Sequence, residues 1–278
     1  MTYEDYLSQT KKIQQIILDF FDSNGNNENI IYNVNIFFND LKKGQNLHQL
    51  KEILHLITKI ANNYHRHSYF FKVFIEFFTI YKEDILQKFT NRQIFRIFHS
   101  NKWILLILFN EQILVPDNYI LNTFKQTKYL QKSYLQYFYP EFRDFLNEKD
   151  LKEINDSISQ LSNDSELLID YKNASSNFEQ KRQNGENDQY ICTLIQKDLV
   201  EEFITYVNQT NLSLNITIKP SIFETNSFLL KSKKTSLIEY AAFFGSIQIL
   251  RYLFMSEVEL TSSLWLYSIH GKNPELIH

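Results

Sequence analysis

Thr235-Ser236-Leu237-Ile238-Glu239-Tyr240-Ala241-Ala242-Phe243-Phe244-Gly245-Ser246-Ile247-Gln248-Ile249-Leu250-Arg251-Tyr252-Leu253 is the stretch on which the fold turns. It reads as a cap, a short helix, a glycine turn and a second helix. Thr235 offers a hydroxyl that can cap the first helix. Ala241 and Ala242 are small where one helix must lie close to its neighbour. Gly245 supplies the positive φ of a tight helix-to-helix turn. On the second helix Ile247, Leu250 and Phe254 make an apolar stripe, widened by Ile249 and Leu253.

Related spacings recur around this stretch. Ser262, Ser263, Leu264, Trp265, Tyr267 and Ser268 repeat the places of Thr235 to Ala241 at an offset of 27 residues. Asp188, Leu194-Ile195, Asp198, Val200, Phe203 and Val207 form a helix pair at an offset of 47. A weaker copy lies 144 residues upstream, with Asn91 in the cap place, Ile97-Phe98 in that of the alanines and Asn101 in that of the glycine. Asn tolerates left-handed backbone, so a left-handed turn is expected at Asn101. The offsets share no single period, so any array is irregular.

This pattern resembles an ankyrin repeat: Thr235, Leu237, Ala241, Ala242, Gly245, Ile247 and Leu250 stand where the repeat signature places its residues. Ser236 replaces the usual Pro and Ile238 the usual His, and the interval from Thr235 to Ala241 is one residue longer. The whole chain is similar to the large protozoan, Trichomonas-like group of degenerate ankyrin proteins with a domain of unknown function. Pro220-Ser221-Ile222-Phe223-Glu224-Thr225-Asn226 and Leu237 to Gln248 carry that likeness. It implies a repeat scaffold without known catalysis.

Helical periodicity runs through the remainder. Apolar residues at spacings of three and four predict helices over 6–21, 30–41, 47–60 and 69–81. Thr90 or Asn91 caps a short helix. Lys102 to Leu114 is apolar nearly all round and reads as buried. Pro116-Asp117 stops that element and caps the next. One stretch departs: Leu212, Leu214, Ile216 and Ile218 alternate with Ser213, Asn215 and Thr217, the period of a strand. The expected fold is all-α: an irregular α-solenoid of antiparallel helix pairs, ankyrin-like toward the C-terminus, with one extended loop or strand insertion near 210–234. The expected regions are 1–172, divergent and helical with degenerate repeats from about 90, a polar connection at 173–189, and ankyrin-like repeats at 190–278, the last incomplete.

Composition narrows the classes. Of 278 residues only 5 are Gly and 4 are Pro, too few for the many turns of a sandwich or barrel. The longest apolar run, Trp103 to Phe109, is far short of a membrane span, and the acidic Met1-Thr2-Tyr3-Glu4-Asp5 does not read as a secretory signal. The single cysteine fits a reducing, cytoplasmic setting, and a net charge of -3 gives no general pull toward nucleic acid or anionic lipid.

Chemistry-bearing motifs are sparse. His65-Arg66-His67 has no third ligand nearby in sequence, and His48 and His55 read as boundary residues on one helix face. Cys192 sits among Ile191, Leu194 and Ile195, the setting of an inert buried thiol. Lys231-Ser232-Lys233-Lys234 reads as a solvated loop. No catalytic, cofactor-binding or metal-binding residue is assigned. The expected function is a protein–protein interaction scaffold with an unidentified protein partner, not an enzyme; the alternative is an enzyme or effector with its site before Asn173. Ile222 and Phe223, in an expected exposed loop, are either a partner contact or a clip onto the repeats. The last repeat stops at Glu275-Leu276-Ile277-His278 with Trp265, Leu266 and Ile269 uncapped. Either the chain is a fragment of a longer array, or this end is covered by a partner or by self-association.

Overall fold

A computed structural model describes residues 50–64, 70–126, 132–161, 176–232 and 234–271, with isolated positions between 8 and 42. The helices expected over 6–21 and 30–41 fall mostly outside the described residues, as do His65-Arg66-His67, Lys233 and Glu275 to His278. In chain order the helices are α1 (Leu50–Tyr64), α2 (Phe70–Lys88), α3 (Asn91–Phe98), α4 (Lys102–Asn110), α5 (Asn118–Gln126), α6 (Lys132–Tyr137), α7 (Tyr139–Phe142), α8 (Glu148–Leu161), α9 (Ser176–Asn184), α10 (Tyr190–Gln196), α11 (Val200–Thr210), α12 (Ser227–Lys231), α13 (Leu237–Phe244), α14 (Ile247–Met255) and α15 (Leu264–Gly271). The described residues contain no strand, so the chain is all-α. No described helix is long and apolar enough to cross a membrane.

The chain divides into two compact units, residues 1–127 with 138–146, and residues 128–137 with 147–278. Residues 173–189, read from sequence as a polar connection, contain α9 and lie inside the second unit.

In the first unit α1 packs on α2 and α3, α2 on α4, and α3 on α4 and α5. Leu50, Ile53, Leu54, Ile57 and Ala61 of α1 are buried, as are Phe74, Phe77, Phe78 and Tyr81 of α2. Thr90 starts α3 with a capping box: its hydroxyl accepts from Gln93 N, and Gln93 Oε1 accepts from Thr90 N at 2.9 Å. Asn91 fastens the segment after α4, exchanging two 2.8–2.9 Å bonds with the backbone of Val115. Asp117 caps α5 through Ile120 N at 2.8 Å. The turn expected at Asn101 is different. Its φ of -126° and ψ of 102° are extended, not left-handed. Its side chain caps α4 by accepting from Ile104 N and donates to Asn62 Oδ1, both at 2.9 Å. Asn serves both roles, and here the open amides of α4 took its oxygen.

In the second unit α10 packs on α11 and α13, α13 on α14 and α15, and α11 on α14. Gly245 lies at φ 69° and ψ 28° and closes α13. Asp198 and Asn211 close α10 and α11 with φ of 52° and 48°, and Glu257 follows α14 at φ 53°. At each the amide bonds the carbonyl three residues back and the next amide the carbonyl five back, the Schellman arrangement.

Three sequence expectations change here. Thr235 does not cap α13; Ser236 does, in a box with Glu239, because the helix starts one residue later. The apolar stripe of α14 centres on Ile249 and Leu253, both fully buried, while Ile247 and Leu250 are half-buried and Phe254 is 61% exposed. Residues 212–218 form no strand. Leu212, Leu214, Ile216 and Ile218 do turn inward while Ser213, Asn215 and Thr217 face solvent, but they pack on helices. With no partner strand beside them, a single antiparallel bridge joins Thr217 to Ser236.

Candidate functional site

Residues 221–226 are held down, not exposed, and the exposed Lys219 ahead of them is fastened through its backbone. Lys219 O accepts from Asn187 Nδ2 at 2.9 Å and Gln189 Nε2 at 2.6 Å. Ser221 Oγ donates to Asp188 at 2.8 Å, and Thr225 Oγ1 donates to Gly185 O at 2.7 Å. Residues 221–226 are buried throughout. Ile222 and Phe223, 4% and 0% exposed, therefore present no surface to a partner; Phe223 lies edge-on to Phe178 at 5.4 Å. The burial of two large apolar side chains outweighed the polar, Pro-Ser character of the neighbouring sequence.

Under this segment the second unit holds a partly open cavity of about 600 Å³, walled by Ile218, Pro220, Leu229, Leu230, Glu224 and Tyr240 among others. That volume is in the range of small-ligand sites. Two of the cavity's polar groups are engaged within the fold. Gln196 Nε2 donates to Tyr240 Oη at 2.9 Å, and Glu224 Oε1 accepts from Asn226 N at 2.7 Å. Burial, with the charge of Glu224 adding, pushes the Tyr240 phenol well above its ordinary value. Burial likewise pushes up the Cys192 thiol, with Glu224 and Asp188 adding to it. A thiol held protonated is neither nucleophile nor metal ligand. Among the described residues no three His, Cys, Asp or Glu side chains gather as a metal-ligand group.

The signature residues gather around α13. Leu237, Ala241 and Ala242 are fully buried in one core with Leu194, Ile195, Phe203, Ile249 and Leu253. Thr235 is buried with its hydroxyl 3.3 Å from Tyr267 Oη. Two features escape sequence reasoning. The turns exchange caps: Asp198 accepts from Gln248 N at 3.1 Å and Ile249 N at 3.0 Å, capping the start of α14, while Ser246 Oγ donates back to Ile195 O. Glu239 joins the starts of α13 and α15, accepting from Ser236 N at 2.9 Å, Thr261 Oγ1 at 2.5 Å and Ser263 Oγ at 2.6 Å.

Past this core α14, α15 and the loop between them expose apolar side chains. Phe254, Met255, Leu260, Trp265, Leu266 and Ile269 are 61, 82, 50, 61, 38 and 51% exposed. Trp265, Leu266 and Ile269 stand out in the sequence as apolar residues where a polar cap belongs. Met255 and Leu260 carry no such signal. Compared with known protein families, curated proteins and solved structures, the chain matches none.

Proposed function

We propose that the chain is a protein-interaction scaffold without catalysis, an irregular α-solenoid of helix pairs that is ankyrin-like toward the C-terminus. The row α10–α13–α15, the row α11–α14 and the recurring left-handed turns support the reading. The observation that carries it is the exposed apolar end made by α14, α15 and the loop between them. Each first helix is covered by the next along its row, and α15 repeats the start of α13 at 27 residues, but among the described residues no helix packs on its outer side, where Trp265, Leu266 and Ile269 are exposed. Large exposed apolar patches mark interaction surfaces. The occupant that continues the row is another helix face of the same kind, so a second copy of the chain is the partner this surface fits. A buried, unreactive cysteine suits the cytoplasm as the setting.

Light scattering on a size-exclusion column tests this. The expected result is a concentration-dependent dimer or larger assembly that Trp265→Glu with Ile269→Glu converts to monomer, with unchanged circular dichroism. Trp265 emission should shift to the blue as the assembly forms. A monomer at the highest attainable concentration, with Trp265 still open to iodide, overturns the second copy as occupant.

A further inference from the structure

A different surface in the first unit carries charge. Arg92 and Arg96 stand four apart on α3, so both project from one face and repel each other. Both nevertheless converge on one side chain, Tyr119, in the first turn of α5. Arg96 Nε donates to Tyr119 Oη at 3.2 Å, and the Arg92 guanidinium lies over the ring, 4.2 Å from its centroid. Phe95 supports the ring from its edge at 6.1 Å. The arginines are exposed and the tyrosine half-buried. Among the described residues no carboxylate pairs with either guanidinium. Asp117, the acid nearest in sequence, is engaged elsewhere, by Ile120 N and Asn91 Nδ2 at 2.8 and 2.7 Å.

Two positive groups thus gather on one phenol, Arg96 at its oxygen and Arg92 over its ring, and the phenol carries only partial negative charge. The phenol responds as such a site requires: hydrogen bonds from Arg96 and then Arg92 hold Tyr119 below its ordinary value. The geometry points to a phosphoryl-binding site formed by Arg92, Arg96 and Tyr119. A phosphomonoester brings nearly two negative charges and three acceptor oxygens, which matches two guanidinium forks. A single carboxylate would neutralise only one.

The phosphoryl group has two sources, an ester on Tyr119 itself or a separate phosphomonoester. In the first, a tyrosine kinase transfers the γ-phosphoryl group of ATP. The Tyr119 Oη–P bond forms, the bond from phosphorus to the ADP oxygen breaks, and the phenolic proton passes to the kinase's base. The product phosphate then sits between the two guanidiniums, at a helix start that favours negative charge.

Two arms on the whole chain decide. In one, phenyl phosphate is titrated into the unmodified protein and followed through the arginine Nε–H resonances. Saturable shifts at Arg92 and Arg96 are expected, weakening at least tenfold in Arg92→Gln with Arg96→Gln and persisting in Tyr119→Phe. In the other, the protein is treated with a tyrosine kinase and Mg-ATP. A gain of one phosphoryl mass on the Tyr119 peptide is expected, with a rise in melting temperature that the double Gln variant loses. Success in the first arm alone assigns a separate ligand, and in the second alone the ester on Tyr119. If neither arm distinguishes the double variant from the parent, the cluster is a packing contact and the proposal fails.

Discussion

Gly245 holds a left-handed backbone that glycine adopts with the least strain, and its amide reaches Ala242 O at 3.1 Å to end α13. A β-branched replacement forces that turn, so Gly245→Val should lower stability by about 1–2 kcal/mol or more, and Gly245→Asn by less. Thermal melts of the three proteins check this. Glu239 is the other decisive residue. Burial raises its pKa, but hydrogen bonds from Ser263, Thr261 and Ser236 outweigh that and hold the carboxyl below its ordinary value. The ionised form is thus favoured in the fold. Its stabilisation is present above the usual glutamate pKa of about 4.3 and is lost as pH falls through the lower folded value. Glu239→Gln should cost about 1–3 kcal/mol at neutral pH, and the gap to the parent should narrow in urea melts as pH is lowered below the usual glutamate range. Gly245 was legible in the sequence because glycine is the residue type that most favours a left-handed turn, whereas Asp198 and Glu257 hold the same turn without that signal. Thr235 and Asn101 misled because hydroxyls and amides serve as cap, turn or buried donor, and only neighbours distant in sequence decide which.

Short helix pairs were readable because cap, apolar period and turn lie within twenty residues of one another. The alternation over 212–218 gave the correct inward and outward faces, yet not a strand, since a ladder needs a partner that sequence does not show. Bonds between elements were not readable. Asp198 caps α14 from about fifty residues upstream, and α14 has no side-chain cap of its own from Ser246. Asp198→Ala should therefore cost about 1 kcal/mol. Asp198→Gly, which relaxes the positive φ but removes the cap, should recover part of it; denaturant midpoints separate the terms. Gly271 tests the contact of α15 with α13. Helix propensity alone makes Gly→Ala favourable by up to about 1 kcal/mol. A Cβ at this position, however, would run into the carbonyl oxygen of Ala242. Gly271→Ala should destabilise, and a raised melting temperature would show that α15 sits farther away.

At the scale of the molecule, the all-α class followed from composition and period, whereas the path of the chain between its units did not. That path crosses after residues 127, 137 and 146, so α6 joins the second unit although α7 belongs to the first. Tyr137 at the end of α6 donates to Arg182 O at 2.8 Å and lies under the Arg182 guanidinium at 5.2 Å. A chain of residues 147–278 should thus melt below one of residues 128–278, and equal melting temperatures would make α6 dispensable. The exchange of caps has a consequence in time. Ile195 O and the Asp198 carboxylate precede the helix they fasten, and Glu239 precedes Thr261 and Ser263. On the ribosome the acceptors of each pair emerge before their donors, at a pace of roughly 5–20 residues per second. For these bonds, then, each later helix start emerges to find its acceptor already synthesised.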